Sequence, residues 1–225
     1  MNRVDFFSKI ENKYNIGLNK QRPIIIRLDA RNTTKNRNIN LLDESENTFA
    51  YALKQASKEL SNKYPYFLIY IAADEVNIIV LNTKSLLTKM KSNYAQEISS
   101  HVVQEFSHLF HKYYKEFIIF DSRAFSIYKD NINSYLIYRK HTNCTVLLSY
   151  YLTRIKNVNI FKMSYEKMFD YGMKNFEDFN KRTSYQKEGI IYYKGFEVFI
   201  EDYLQSSLEE IDKKFKNIPI LDDDI

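Results

Sequence analysis

The stretch from Tyr66 to Leu81 leaves this chain the least choice of fold. Two apolar runs of strand length, Tyr66 to Ala72 and Val76 to Leu81, are separated only by Ala73-Asp74-Glu75. A connection that short joins antiparallel strands, so the segment reads as a hairpin. Both runs are largely apolar. The rest of the chain has to be arranged around a largely apolar hairpin with acids at its tip.

A third run, Ile24 to Leu28, opens after Pro23 and ends at Asp29. Between it and the hairpin, Phe49, Leu53, Ala56 and Leu60 mark one face of a helix within Asp43 to Lys63. Beyond the hairpin, Ser85 to Lys115 reads as one long amphipathic segment, with Ile98, Val102, Phe106 and Phe110 four apart. Phe117 to Phe120 and Ala124 to Tyr128 then supply a fourth strand, interrupted at Asp121-Ser122-Arg123. The order is β-α-β-β-α-β, the ferredoxin-like arrangement, with the first strand beside the hairpin at the sheet centre. Asp29 and Asp74 are then expected to converge on one sheet edge.

The expected class is α+β. A domain over residues 1–130 carries a helical and β-hairpin extension over 131–225, packed on it as a single compact unit. In the extension, Ser134 to Leu152 and Ser164 to Tyr171 read as helices, with Gly172 a stop for the second. Gly189 to Tyr193 and Phe196 to Ile200 read as a hairpin turning at Lys194-Gly195, and a polar helix precedes the acidic LDDDI tail.

Composition narrows the classes of function. Four glycines and three prolines in 225 residues leave no linker. A net charge of +5 and a pI near 9.0 suit a polyanionic partner. The abundance of Lys, Asn, Ile and Tyr is also what an AT-rich coding sequence produces. The single cysteine, Cys144, excludes an internal disulfide and a cysteine zinc cluster. A reducing, cytoplasmic setting without a membrane is expected, since no apolar stretch has signal-peptide or spanning length. His101, His108 and His111 share a helical segment but lack a zinc-binding frame, and no glycine-rich phosphate loop exists. The stripe Phe106, Phe110, Tyr113, Tyr114 reads as core or as an oligomer face.

The acids carry the chemistry. An unpaired buried carboxylate is costly, so such groups normally bind cations or backbone donors. Two at one sheet edge offer the hard oxygen ligands that Mg²⁺ selects. Metals held this way activate an attacking hydroxyl and stabilise a leaving pyrophosphate. Spacing alone is equally compatible with Asp29 capping a turn and Asp74-Glu75 being ordinary corner acids.

The stretches IIIRLDARN, AADEVNIIV, FDSRAFSIY, YLIYRKHTN and SYQKEGIIYY lie between Ile24 and Tyr193. In order and approximate spacing they resemble the motifs of the tRNA-His guanylyltransferase family, whose Thg1-like members extend RNA from 3′ to 5′. The resemblance implies a ferredoxin-like polymerase/cyclase palm and a Mg²⁺-dependent nucleotidyltransferase with two ions. Its substrates would be GTP or ATP and the 5′ end of a tRNA, and the protein a homo-oligomer, tetramer or dimer. It implies catalytic roles for Asp29 and Asp74 with Glu75 in support. The metals would be held by Asp29, Asp74 and the carbonyl of Ala30, which stands in place of the family's glycine. The nucleotide would lie along Asp29, Ala30, Arg31, Asn32, Thr33 and Thr34, with Ala73 and Asp74. Further candidates for RNA or phosphate contact are Arg27, Lys89, Lys91, Arg123, Arg139 and Lys187.

One departure bears on the substrate. Cys144-Thr145-Val146-Leu147 stands where the enzyme acting on tRNA-His has His-Ile-Asn-Asn. Template-directed repair of tRNA 5′ ends is therefore expected ahead of tRNA-His maturation. Two other classes stay open. A nucleotide cyclase or signal-nucleotide synthase would need no RNA. A non-catalytic RNA-binding homologue would not need to keep Asp29, Asp74 and Glu75.

Overall fold

The structure, a computed structural model, describes residues 16–33, 36 and 38–205. Strand β1 is Ile24–Ala30, and helix α1, Phe49–Lys63, follows with Thr48 as its side-chain N-cap. The hairpin is β2, Phe67–Ala72, and β3, Glu75–Val80, both buried along their whole length. Then come α2, Thr83–Met90, α3, Ala95–Tyr113, and β4, Phe120–Ser126. The extension comprises α4, Ile132–Tyr150, a π-helical turn over Tyr151–Ile155, and α5, Tyr165–Asn175. It continues through α6, Ser184–Glu188, β5, Ile190–Tyr193, β6, Phe196–Val198, and α7, Ile200–Gln205. No helix among the described residues is long and apolar enough to cross a membrane. The expected acidic tail lies outside the described residues.

All six strands form one sheet in the order β4-β1-β3-β2-β5-β6, antiparallel at every step. The first four positions are the ferredoxin-like order expected from the sequence. The second hairpin, turning at Lys194-Gly195 with positive φ at both, continues this same sheet beyond β2.

Register divides the sheet into two unlike faces. Leu28, Ile26 and Ile24 with Val76, Ile78 and Val80 point to the side of α1 and α3, where Phe106 and Phe110 meet Phe120 edge-on. The opposite face presents Asp29, Arg27, Glu75, Asn77 and Tyr70, and α4 lies across it.

Four local expectations are corrected. The segment Ser85 to Lys115 is two helices, because Lys91 turns left-handed and the backbone of Ile16 to Leu18 hydrogen-bonds to Asn93 and Ala95. β4 runs unbroken through Asp121-Ser122-Arg123 and starts only at Phe120. These polar residues belong to an edge strand whose outer positions face solvent, so their polarity marks exposure and not an interruption. The first helix begins at Phe49 and not at Asp43. Gly172 lies inside α5, where a Cβ would stand 2.1 Å from the Phe179 ring, so it admits a neighbour and does not stop the helix. The aromatic stripe is mainly core: Phe106, Phe110 and Tyr114 are buried.

Candidate active site at the Asp29 and Asp74 end of the sheet

β1 and β3 run antiparallel with Asp29 opposite Glu75, which puts the end of β1 beside the hairpin tip. Ala73 and Asp74 form the two-residue connection, and Ala73 has a left-handed φ of 55°. The amide of Ala30 donates to the Asp74 carbonyl at 3.0 Å. The buried Thr33 hydroxyl donates to the Asp74 carboxylate and stands 3.3 Å from the Ala30 carbonyl. Two carboxylates 45 residues apart in sequence thus share one corner, as the strand order required.

Electrostatics at this corner is unfavourable without a cation. Burial raises the carboxyl of Asp74 above the ordinary aspartate range, and the negative charge of Asp29 adds to it, while the Thr33 hydrogen bond opposes. Asp29 is also raised, first by burial and then by repulsion from Glu75, with Arg27 and Arg139 opposing. The charge of Asp29 makes Asp74 harder to ionise, as that of Glu75 does Asp29, and a divalent cation at this corner would offset the penalty.

The residues fit magnesium. Among the described residues no group of three or more His, Cys, Asp or Glu side chains converges on one point. The protein would supply two carboxylates and the Ala30 carbonyl, a sparse set of hard oxygens. Mg²⁺ accepts such a set because it completes its shell with water and phosphate.

Glu75 sits in a network of its own behind the corner. Its carboxylate is buried and accepts from Arg139 Nε at 2.8 Å and from Arg139 Nη2. It also accepts from Asn77 at 2.6 Å and Asn143 at 3.4 Å, with Arg27 Nε 4.0 Å away. Its lone pairs are committed to this network, which leaves it a charge near the site and not a free metal ligand. Tyr135 completes the group by donating to Asn77 at 2.6 Å.

Arg139 is corrected with it. Only 6% exposed and forked onto Glu75, it cannot reach a phosphate. Lys89 and Lys91 stand away from this corner. Lys89 sits over the Tyr64 ring at 4.3 Å, at the base of the hairpin, and Lys91 follows α2 at the same end. That end is roughly 17 Å from the tip, at about 3.3 Å per strand residue. Arg27 and Arg123 do share a row, directly opposite one another on β1 and β4, with Arg123 exposed. Arg31 is exposed and pairs with Asp121 at 2.5 Å, a contact that lowers the Asp121 carboxyl through the Arg31 hydrogen bond. Asn32 is exposed at φ 61°, Lys187 is exposed on α6, and Thr34 lies outside the described residues.

The sequence reading missed Asn77, Tyr135 and Asn143. A polar residue in the middle of the apolar strand EVNIIV was the available signal, since buried amides require partners. Of the replaced group, Cys144 and Leu147 are buried in α4, where burial raises the Cys144 thiol to about 11, and Thr145 and Val146 are half-buried.

An antiparallel β4-β1-β3-β2 core with two aspartates at one end of its central strands, backed by helices, defines a palm-type polymerase domain. The sequence profile described as tRNAHis guanylyltransferase (Thg1) matches residues 5–128, more than half of the chain. This chain belongs to that family. Among solved structures, a bacterial tRNA(His) guanylyltransferase (Thg1)-like protein in complex with ATP is 24% identical at a TM-score of 0.65, over 85% of this chain and 84% of that one. One in complex with GTP is 22% identical at 0.65, over 94% and 95%. The tRNA(His) guanylyltransferase of Saccharomyces cerevisiae is 16% identical at 0.62, over 92% and 99%. At such identities the likeness establishes a shared fold. No curated protein matched the sequence significantly.

Proposed function

We propose that this protein is a Mg²⁺-dependent nucleotidyltransferase that adds nucleotides to the 5′ end of a tRNA. The carrying observation is the pairing of Asp29 and Asp74 at one corner, each made harder to ionise by burial and by neighbouring acids. Family membership and structural likeness to proteins bound to ATP and GTP support nucleoside triphosphates as donors.

Asp29, Asp74 and the Ala30 carbonyl would hold two Mg²⁺ ions, which when bound neutralise phosphate charge and lower the pKa of a bound hydroxyl. Thr33 orients the Asp74 carboxylate. The exposed turn Arg31-Asn32 offers a guanidinium and an amide to a nucleotide, and Arg27 and Arg123 offer positive charge to phosphates. In the reaction the 3′-hydroxyl of the incoming nucleotide forms a bond to the RNA 5′ phosphorus. The bond to the leaving group breaks; that group is pyrophosphate from a 5′-triphosphate, or a nucleoside monophosphate from an end activated beforehand. Positioning and charge neutralisation supply most of the rate.

Repair of 5′-truncated tRNA is favoured over tRNA-His maturation, because Cys144 and Leu147 turn into the core where the tRNA-His enzyme has polar residues. The test is incubation with labelled GTP or ATP, Mg²⁺ and 5′-truncated tRNA, followed by mapping of the 5′ end. Lengthening opposite the template strand is expected. Cyclic or oligonucleotide products from triphosphate alone, with tRNA ends unchanged, would replace this reading by a signalling one. Selective guanylylation of intact tRNA-His would overturn the preference for repair.

A further inference from the structure

We propose that Tyr185 is a positioning residue for Asp74, acting through the hydrogen bond its hydroxyl donates to the carbonyl of Ala73. The proposal rests on the reading of Asp29 and Asp74 as a cation-binding pair. Tyr185 comes from the extension, outside the residues 5–128 matched by the family profile.

The turn it contacts is strained. Ala73 holds a left-handed φ of 55°, which brings the Cβ of a non-glycine residue too close to the following carbonyl oxygen. Such a conformation persists only where its surroundings over-determine it. Two ties come from the palm side, from the Ala30 amide and the Thr33 hydroxyl, and both act on Asp74. The tie to Ala73 itself is the Tyr185 hydroxyl, 2.9 Å from its carbonyl. Tyr185 is 1% exposed, so neither the phenol nor that carbonyl has water as a substitute. Burial, with Glu44 and Asp74 nearby, raises the phenol above its usual range, so it remains a donor at any working pH.

The platform behind Tyr185 is set independently of its hydroxyl. Thr183 and Gln186 form a reciprocal capping box on α6, and Gln186 Nε2 also donates to the Leu42 carbonyl at 2.7 Å. Gly189, at φ 81°, ends the helix where a Cβ would stand 2.4 Å from the Ile71 carbonyl oxygen and 2.6 Å from Ala72 Cβ. α6 is therefore seated directly against the end of β2. Its ring and backbone fill space, while the hydroxyl alone reaches the turn. A purely space-filling tyrosine would not need that hydroxyl.

The test removes the hydroxyl and keeps the ring. Binding of Mn²⁺ alone is measured on the full chain without RNA, for wild type, Tyr185→Phe and Asp74→Asn. Tyr185→Phe should weaken Mn²⁺ roughly tenfold, the size of one lost hydrogen bond to a buried group. It should also raise the Mg²⁺ concentration needed for half-maximal incorporation by a similar factor, with the rate recovering at saturating Mg²⁺. In an Ala73→Gly background, where glycine adopts the left-handed turn without strain, the same substitution should cost at most about twofold. Wild-type Mn²⁺ affinity in Tyr185→Phe, or an undiminished loss in the glycine background, would overturn the positioning role. Asp74→Asn separates the two levels. If it abolishes binding while Tyr185→Phe keeps wild-type affinity, only this inference fails; if it binds Mn²⁺ like wild type, the cation site itself fails.

Discussion

The two faces of the sheet are built on opposite terms. Toward α1 and α3, Leu28, Ile26 and Ile24 and their neighbours bury aliphatic and aromatic surface whose stabilisation scales with area and tolerates imprecision. Toward α4, Glu75, Arg139, Asn77 and Asn143 are buried as polar groups with the half-buried Tyr135 beside them, and each depends on partners at fixed distances. Such a network adds little net stability but severely penalises any arrangement in which it is incomplete. It fixes β3 and α4 in register right behind the corner that carries Asp29 and Asp74. The greasy face makes the domain stable, and the polar face makes the corner specific.

Truncation on each side separates the two faces most sharply. Phe106→Ala on the apolar face should cost about 3–5 kcal/mol in denaturant unfolding. Arg139→Ala should cost about as much, because it strands the Glu75 charge in the interior. Only the second should be repairable at a distance. Glu75→Gln combined with Arg139→Met should recover most of the stability, and a double variant as unstable as Arg139→Ala would show the polar face is not a charge-paired network.

Next in size is the effect on chemistry. Asp29→Ala and Asp74→Ala should each lower nucleotide incorporation by at least about a hundredfold while near-native circular dichroism is retained. Near-normal turnover in either variant would remove the basis for the proposed function. Thr33→Val should have a smaller effect, of about 1 kcal/mol on Mg²⁺ affinity, since it deletes one hydrogen bond to the Asp74 carboxylate.

The smallest effect is one of sign. The Asp74 carboxyl is raised in the folded chain above its ordinary 3.8, so the folded state holds its proton longer than the unfolded state does. Wild type is then favoured at low pH and loses stability as pH climbs from the unfolded value through the folded one. Asp74→Asn carries no such loss. In a chelator at pH 7 it should melt at or slightly above wild type, with the gap closing toward pH 4. A lower melting temperature throughout would show that the ionised Asp74 is stabilising as it stands.

What the sequence determined by itself is the order of elements and the meeting of Asp29 with Asp74. Hydrophobic runs of strand length and a three-residue corner permit few topologies, and in the one adopted β1 lies beside β3, so both acids fall at the same end. The same reading placed Arg139 and Lys89 together among the candidates for RNA or phosphate contact, although the two stand in unlike surroundings. A lone arginine or lysine carries no local sign of what it faces; only α4 crossing the polar face gave Arg139 its partner, and only the hairpin's length put Lys89 far from the tip. The role of Glu75 and the reach of Tyr185 were likewise decided in three dimensions. Periodicity records which side of an element is apolar, but a hydrogen bond between residues 64 or 112 positions apart leaves no trace in it.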